Sequence, residues 1–441
     1  MISFRIPKQL ELEIRESLMR AHSFASERVG FIFTRLSYLS GNKTAIVLGT
    51  GYEAVSDDDY IDDPGVGARI NSTAIRRVMQ RVLTTGEGAF HIHIHDHDGA
   101  PAPSYVDREE IRPLMKSIRN AAPLSIHGLL VLSRDAGYAE ALLPESSKFH
   151  PVTRITVVGF PMSLLAHHAP ISKQAERFSR QSFLGSSAEQ NIAAYRIGIV
   201  GLGGGGSHIA QQLAHVGFST FSLFDMDVVE RSNLNRLIGG TQADARAGTA
   251  KVEAAARLIK GVNPGAKSEK IKSRWQEAPD QLHACDIVFG CVDSYAERRD
   301  IEIASRRHLI PFVDIGLDVH QFGDEPPRMA GQVILSMPGY PCMSCLGFLT
   351  EAKAAREAEQ YGAAGPRPQV VWANGLLASS AVGIVIDLIT DWTQSLRGPV
   401  YLSYDSNTST IQPHKRLQYI DSQHCPHFPL SQVGEPTLKR L

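Results

Sequence analysis

Cysteine is scarce in this chain, with five in 441 residues. So small and odd a count excludes a disulfide framework as what holds the fold together. Net charge is scarce too: 45 Lys and Arg face 46 Asp and Glu, a formal balance of −1. No basic surplus therefore points to nucleic acid or an anionic membrane as partner. Long apolar runs are missing. The longest, over 376–389, is broken by Ser379, Ser380 and Asp387 and falls short of the roughly 20 residues a membrane span needs. Met1 to Pro7 hold no basic stretch leading into an apolar core. No signal peptide is expected, and the cytoplasm is the expected compartment.

What is present is an ordinary globular composition, 43% hydrophobic and 21% charged, at a length that suits two or three domains. Periodicity predicts helices over 11–21, 72–83 (capped by Asn71 or Ser72) and 106–121. Strands are predicted over 30–34, 44–48, 89–95, 126–132 and 154–158. Together these make an α/β or α+β domain over 1–160. A linker follows over 161–176, with Pro170 breaking any helix. From 177 to 430, strands at 196–200, 220–225, 286–291 and 311–315 alternate with helices at 207–216, 251–260 and 296–306. That alternation predicts a Rossmann-like, mostly parallel sheet with helices on both faces. The Ala/Glu-rich run 351–360 reads as an exposed helix or a loop, and 362–366 as a loop.

The most informative segment lies at 199–251. Ile199-Val200 lead into Gly201-Leu202-Gly203-Gly204-Gly205-Gly206-Ser207, followed by Asp225, Asn233, Arg236 and Lys251. A glycine turn between strand and helix lets phosphate oxygens approach backbone N–H groups at the helix N-terminus. Gly201, Gly203 and Gly206 with Asp225 also describe a nicotinamide or flavin domain, with Asp225 on a ribose hydroxyl. Arg236 and Lys251 have no place in that reading. Cations aimed at phosphate suit a reaction at phosphate. Asp293 falls where a parallel strand ends, at the ligand-binding edge of such a sheet, and a carboxylate there suits Mg²⁺ beside phosphate oxygens. The alternative is that Asp293 caps the helix at 296–306.

Six ordered pieces resemble the ThiF/MoeB superfamily, the adenylating core of ubiquitin-activating enzymes. They are Arg177-Phe178-Ser179-Arg180-Gln181, the glycine turn, Asp225-Met226-Asp227, Ser232-Asn233-Leu234-Asn235-Arg236, Gly248-x-x-Lys251 and Cys291-Val292-Asp293-Ser294. The resemblance, over 175–427, implies that Gly201, Gly203, Gly204 and Gly206 cradle ATP and that Asp225 holds its ribose. Asn233, Arg236 and Lys251 would meet the phosphates, and Asp293 would hold Mg²⁺. It further implies a homodimer in which Arg180 reaches the partner's γ-phosphate; the alternative for Arg180 is a plain surface charge. The implied reaction is adenylation of the C-terminal carboxylate of a ubiquitin-like or sulfur-carrier protein with a glycine-ended tail, with a conjugating enzyme as a further partner. Service in cofactor biosynthesis, as a sulfur-carrier adenylyltransferase, is the neighbouring reading.

The same family often builds a zinc site from two CxxC pairs. Here Cys342-Met343-Ser344-Cys345 supplies one, while His424-Cys425-Pro426-His427-Phe428 supplies one cysteine only. A histidine, His427 in preference to His424, would complete a Cys₃His zinc tetrahedron; a redox or merely buried CxxC is the alternative. Cys285 and Cys291 read as buried, inert thiols. No cysteine stands near Trp372, where thioester-forming relatives carry theirs, so the acyl group passes to a partner's nucleophile or to a hydroxyl such as Ser379 or Ser380.

His91, His93, His95 and His97 alternate, which puts them on one face of a strand. Two of them with Asp107 could hold one metal and leave a fourth position open to water. With Glu27 upstream, His93-Ile94-His95 and Ser104-Tyr105-Val106-Asp107, the pattern resembles the JAB/MPN (JAMM) metalloproteases. That resemblance implies Zn²⁺ on His93, His95 and Asp107, Glu27 as general base and Ser104 at the oxyanion. The gap from His95 to Ser104 is one residue longer than the family's, and His95 with His97 is the alternative pair. A metal-free fold that only binds a ubiquitin-like protein is a further reading. The two halves together resemble bacterial ubiquitin-like conjugation systems, some linked to antiphage defence.

Overall fold

The computed structural model describes residues 1–21, 25, 27–39, 44–63, 67–105, 107–167, 176–320, 325–353, 355, 368–420 and 425–434. Among the described residues two compact units result, one over 1–167 with 430–434 and the other over 176–429.

A nine-stranded mixed sheet runs through the first unit. Its strands are β1 (Ile2–Pro7), β2 (Val29–Leu39), β3 (Thr44–Ala54), β4 (Gly88–Ile94), β5 (His127–Leu132), β6 (Gly137–Leu142), β7 (Phe149–Pro151), β8 (Arg154–Val158) and β9 (Ser163–His167). Their spatial order is β7-β6-β5-β4-β2-β3-β1-β8-β9. On one face, Leu10, Ile14 and Leu18 of α1 (Lys8–Leu18) pack with Phe4, Ile32, Phe90 and Ile92. On the other, Val78 and Val82 of α2 (Ser72–Thr85) and Met115 and Ile118 of α3 (Arg112–Arg119) pack with Phe31 and Phe33. The period of two in β2 and β4 splits neighbours between the two cores. It also sends His91 and His93 to the α2–α3 side.

Several expectations shift here. Asn71 is the cap of α2, its carboxamide oxygen accepting from Thr73 and Ala74 N–H. The helix predicted over 106–121 is a π-helical turn, Asp107–Ile111, followed by α3; Val106 lies outside the described residues. Where a linker was predicted from 161, Ser163–His167 pair with β8 as an edge strand. Residues 168–175, Pro170 among them, lie outside the described residues. β1, buried along its length, went unpredicted because a short run buried on both faces shows no alternation.

The second unit carries an eight-stranded sheet: β10 (Arg196–Val200), β11 (Thr220–Phe224), β12 (Lys267–Ile271), β13 (Ile287–Gly290), β14 (Phe312–His320), β15 (Arg328–Ser336), β16 (Val400–Asp405) and β17 (Thr410–Pro413). The order is β12-β11-β10-β13-β14-β15-β16-β17. Pairing is parallel from β12 to β14 and antiparallel from β14 to β17. The parallel part thus ends in an antiparallel meander. The strand order reverses between β10 and β13, the crevice where open α/β sheets bind ligands.

Helices α4 (Ala188–Ala194), α5 (Gly204–Val216), α6 (Gln242–Ala247), α7 (Lys251–Val262), α8 (Pro279–His283), α9 (Tyr295–Arg307) and α10 (Val371–Thr390) surround this sheet. The apolar run over 376–389 belongs to α10, whose 20 residues with mean hydropathy 1.6 make it long and apolar enough to cross a membrane. Its Leu377, Ala381, Val385 and Leu388 are buried in the unit, and it packs along α5. Residues 354 and 356–367, covering most of the predicted Ala/Glu-rich element, lie outside the described residues.

Candidate functional site

A cavity of about 540 Å³ opens at the C-terminal ends of the parallel strands. β10 leads into Gly201, whose φ of +86° suits glycine; a Cβ there would stand 2.6 Å from the Cys291 carbonyl. A Cβ on Gly206 would stand 1.9 Å from the Gly201 carbonyl. These glycines let the turn close and aim the first N–H groups of α5 at the cavity.

Asp225 follows β11. Its Oδ2 accepts from Leu202 N–H at 2.7 Å and its Oδ1 from Asp227 N–H at 2.9 Å, which ties it to the glycine turn. Burial pushes its carboxyl up, and Lys251 pulls against that. Lys251 opens α7, its Nζ 2.7 Å from Asp227 Oδ2 and 3.9 Å from Asp225 Oδ1. Arg236 donates from Nη1 to the Ser232 carbonyl at 2.9 Å and to Asn235 Oδ1 at 3.0 Å. Asp293 lies just past β13. Ser294, not Asp293, is the N-cap of α9, accepting from Glu297 N–H.

Gly201, Gly203, Gly204, Asp225, Arg236, Lys251 and Asp293 all line the cavity. Asn233 and Gly206 do not: Asn233 Oδ1 accepts from Glu230 N–H at 3.0 Å in a capping box, and Gly206 serves the turn's packing. Arg180 is exposed on the 3-10 stretch Glu176–Leu184 and lines no part of the cavity.

Other residues of this site escaped sequence reasoning. Arg298, buried in α9, donates from Nη1 to Asp314 Oδ2 at 2.5 Å and from Nη2 to the Val292 carbonyl at 2.6 Å. Asp314 is fully buried and also accepts from Gln332 Nε2 at 3.1 Å. A Cβ on Gly316 would stand 2.6 Å from Arg298 Nη2. Asn374, buried on the first turn of α10, packs on Gly204. Arg298 sits five residues after Asp293, a signal that helix phase could have supplied. Asp314 sits in a hydrophobic strand with nothing in its neighbours to mark it. Cys291 also lines the cavity, where burial and the Asp314 charge push its thiol up, away from nucleophilic use. Ser379 and Ser380 donate to the carbonyls four residues back, Gly375 at 2.8 Å and Leu376 at 3.0 Å. This is ordinary helix back-bonding, and Ser379 Oγ also accepts from the Gln212 amide Nε2 at 3.1 Å.

Cys342, Cys345, Cys425 and His427 come together in the same unit. Sγ–Sγ distances are 3.7 Å for Cys342–Cys345 and 3.8 Å for Cys345–Cys425, and His427 Nδ1 lies 3.4 and 3.3 Å from Cys342 and Cys345. A tetrahedron with Zn–S bonds near 2.3 Å has edges of about 3.8 Å, so the four donors fit zinc in spacing and in type. The hydrogen bond with Cys342, helped by the Arg306 charge, draws the Cys425 thiol down. Glu302 of α9 accepts from Met343 N–H at 2.8 Å. Arg306 donates to the Tyr340 carbonyl at 2.6 Å, so the loop is held from beneath. His424 lies outside the described residues.

In the first unit, Glu27, His93 and His95 converge. The Nε2 atoms of His93 and His95 are 3.2 Å apart, Asp107 Oδ2 is 3.7 Å from His93 Nε2, and Glu27 Oε1 is 4.0 Å from His95 Nε2. Ser104 and Asp107 brace each other: Ser104 N–H donates to Asp107 Oδ2 at 2.7 Å, and Asp107 N–H to Ser104 Oγ at 3.1 Å. Burial holds His93 down, in its neutral, metal-binding form. The strand ends at Ile94, so the four histidines do not share it as predicted. His95 continues the ladder, with its N–H donating to the Leu132 carbonyl at 2.8 Å. His97 is exposed in the following loop, its Nδ1 2.9 Å from the Asp98 carbonyl. That loop leads on to Ser104. Asp135 accepts from Gly99 N–H at 2.7 Å and Arg134 donates to Asp96 at 2.7 Å, pinning it. His91, behind His93, is pulled down to about 3 by burial.

The ThiF family model matches residues 177–426. The SAMP-activating enzyme E1 of Haloferax volcanii is 30% identical over 178 residues, covering 39% of this chain and 62% of that protein. The molybdopterin-synthase adenylyltransferase of Escherichia coli is 26% identical over 258 residues, 56% of this chain and 95% of that one. A solved structure of E. coli MccB with ATP is 18% identical and covers 59% of this chain and 76% of that one, with a TM-score of 0.47. The chain spans less than two thirds of the Haloferax relative's length.

Proposed function

The chain belongs to the ThiF family, and from that premise we propose that it adenylates the C-terminal carboxylate of a ubiquitin-like or sulfur-carrier protein. One observation carries this reading: the glycine turn, Asp225, Arg236, Lys251 and Asp293, from five separate segments, surround one cavity. ATP is the substrate that uses all of them. N–H groups of the glycine turn hold phosphate oxygens, and Asp225 meets the ribose. Lys251 and Arg236 exchange their present partners for phosphate oxygens and offset charge as it develops on the leaving pyrophosphate. Asp293, at the strand end beside them, would hold Mg²⁺, which when bound neutralises phosphate charge. The tail carboxylate attacks the α-phosphorus in line. A carboxyl O–P bond forms, the bond to the β-phosphate oxygen breaks, and acyl-adenylate and pyrophosphate result. Positioning supplies much of the rate, because the nucleophile is weak.

Arg180 is free of the cavity of its own chain and suits delivery to a second protomer in a homodimer. With Ser379 and Ser380 tied to backbone, the acyl group passes to a partner's nucleophile, such as that of a conjugating enzyme. Zn²⁺ on Cys342, Cys345, Cys425 and His427 would be structural, tying the C-terminal segment to the CxxC loop.

A second activity rests on the convergence in the first unit. His93, His95 and Asp107 would hold Zn²⁺, which when bound polarises water and carbonyl oxygens. Glu27 would take the proton from water and Ser104 would face the oxyanion. This is a JAB-type peptidase that trims or removes the same ubiquitin-like protein. A metal-free binding fold is the competing reading, and zinc content decides between them.

Equilibrium binding of ATP and of NAD, followed by pyrophosphate–ATP exchange with a panel of glycine-ended ubiquitin-like proteins, tests the first activity. ATP binding with exchange supports it. NAD binding without ATP binding overturns it.

A further inference from the structure

Gln369 closes one corner of the nucleotide cavity, and no motif announced it. Its Nε2 donates to Asp293 Oδ1 at 3.3 Å. Its backbone carbonyl accepts from Asn235 Nδ2 at 3.3 Å. Its Oε1 lies against the glycine turn, 3.3 Å from where a Cβ on Gly204 would stand. One residue therefore bonds two parts of the cavity that are remote in sequence, the carboxylate past β13 and the Asn–Arg turn, and stands beside a third, the start of α5. It stands just ahead of Val370, the N-cap of α10, so the long buried helix anchors it.

Chemistry favours an amide at this place. A short carboxylate facing a polar cavity turns between rotamers, and a donor fixed by backbone and helix selects one. A lysine would do so by neutralising the charge that a divalent cation needs. A glutamate would repel the carboxylate instead. A neutral donor orients Asp293 and leaves its charge intact, as hydrogen-bonded neighbours do for carboxylate ligands elsewhere.

We propose that Gln369 is a positioning residue for the Mg²⁺-holding carboxylate: by orienting Asp293 from a place beside the glycine turn, it sets the metal-dependent part of ATP binding. This rests on the reading of Asp293 given above. Gln369 touches no reacting atom in this account and acts through Asp293.

The test uses the full chain and no protein substrate. ATP affinity is measured by calorimetry with Mg²⁺ and again with EDTA, and the ratio of the two is the readout. Uptake of Mn²⁺ with ATP, followed by loss of the free-ion electron paramagnetic resonance signal, is the independent check. Gln369→Ala is expected to lower the ratio by about tenfold, in the range of metal-ligand support residues, while affinity in EDTA stays within about twofold. Gln369→Lys, which keeps a donor but neutralises the carboxylate, is expected to bring the ratio close to one. Asp293→Asn should do the same. A wild-type ratio in Asp293→Asn would remove the premise that this carboxylate holds the metal. A collapsed ratio in Asp293→Asn with an unchanged one in Gln369→Ala would overturn the role of Gln369 alone. An equal loss with and without metal in Gln369→Ala would make it a structural residue and equally overturn the proposal.

Discussion

Lys251 Nζ lies 2.7 Å from Asp227 Oδ2, at the mouth of the cavity. The lysine is largely buried at 12% side-chain exposure, while the aspartate is 57% exposed. A buried cation facing phosphate-sized space is thus held by a partner that solvent already reaches, so little is lost when an anion of higher charge takes it over.

Lys251→Ala is expected to weaken ATP binding and to slow pyrophosphate–ATP exchange by about a hundredfold or more, as for other charge-stabilising groups. Asp227→Asn should tighten ATP binding several-fold by releasing the lysine. Calorimetry on both variants checks the pair, and weaker binding in Asp227→Asn would show that the contact orients Lys251 instead of competing with phosphate.

Two zinc ions per chain are expected by elemental analysis of purified protein. His93→Ala should lose one and Cys342→Ala the other, whereas His97→Ala should keep both. Glu27→Gln should keep both and lose precursor cleavage, because the role proposed for it is proton transfer and not ligation. A single zinc, lost only from Cys342→Ala, would make the first unit a binding fold.

The Arg298–Asp314 pair is buried beneath the cavity. Removing one member strands a charge, so Asp314→Asn or Arg298→Met is expected to cost about 3–5 kcal/mol in unfolding free energy. Replacing both with apolar residues of similar volume should recover a large part of that. Denaturant melts of the single and double variants measure the coupling.

Asp244 accepts from both Nη atoms of Arg257, at 2.9 and 2.7 Å. This and the Thr241 hydroxyl hold its carboxyl far below the usual range. A depressed carboxyl stabilises the fold at every pH above its unfolded value of about 4 and loses that contribution as pH falls below it. Asp244→Asn should therefore melt earlier than wild type at pH 7, and the gap between the two curves should narrow progressively as pH falls below about 4. Thermal melts across that range show it.

Much of the second unit was legible in the sequence, because its signals are local. The glycine turn, the strand at Arg196–Val200 and Lys251 at the start of α7 each depend on residues close in the chain. Turn chemistry and helix phase act over a few positions. Boundaries moved where tertiary packing extended an element: β2 runs to Leu39 and β14 to His320 because neighbouring strands offered hydrogen bonds to the added residues.

The candidate metal clusters divide along the same line. Alternation in His91-Ile92-His93-Ile94-His95 announced a histidine face, yet it could not choose among the histidines. Where Asp107 and Glu27 fall relative to the histidines depends on the π-helical turn that begins at Asp107 and on the approach to β2, and no local pattern encodes either.

By itself, the sequence determined which backbone turns can cradle an anion, which residues carry charge toward it and which cysteines and histidines have metal-ligand spacing, since each follows from covalent neighbours. Only the tertiary structure decided that Gln369 meets Asp293, that Arg298 finds Asp314 and that His97 stands apart from the Glu27 cluster. The contacts among these join residues up to 76 positions apart. Burial and sheet order, which belong to the whole chain, set them.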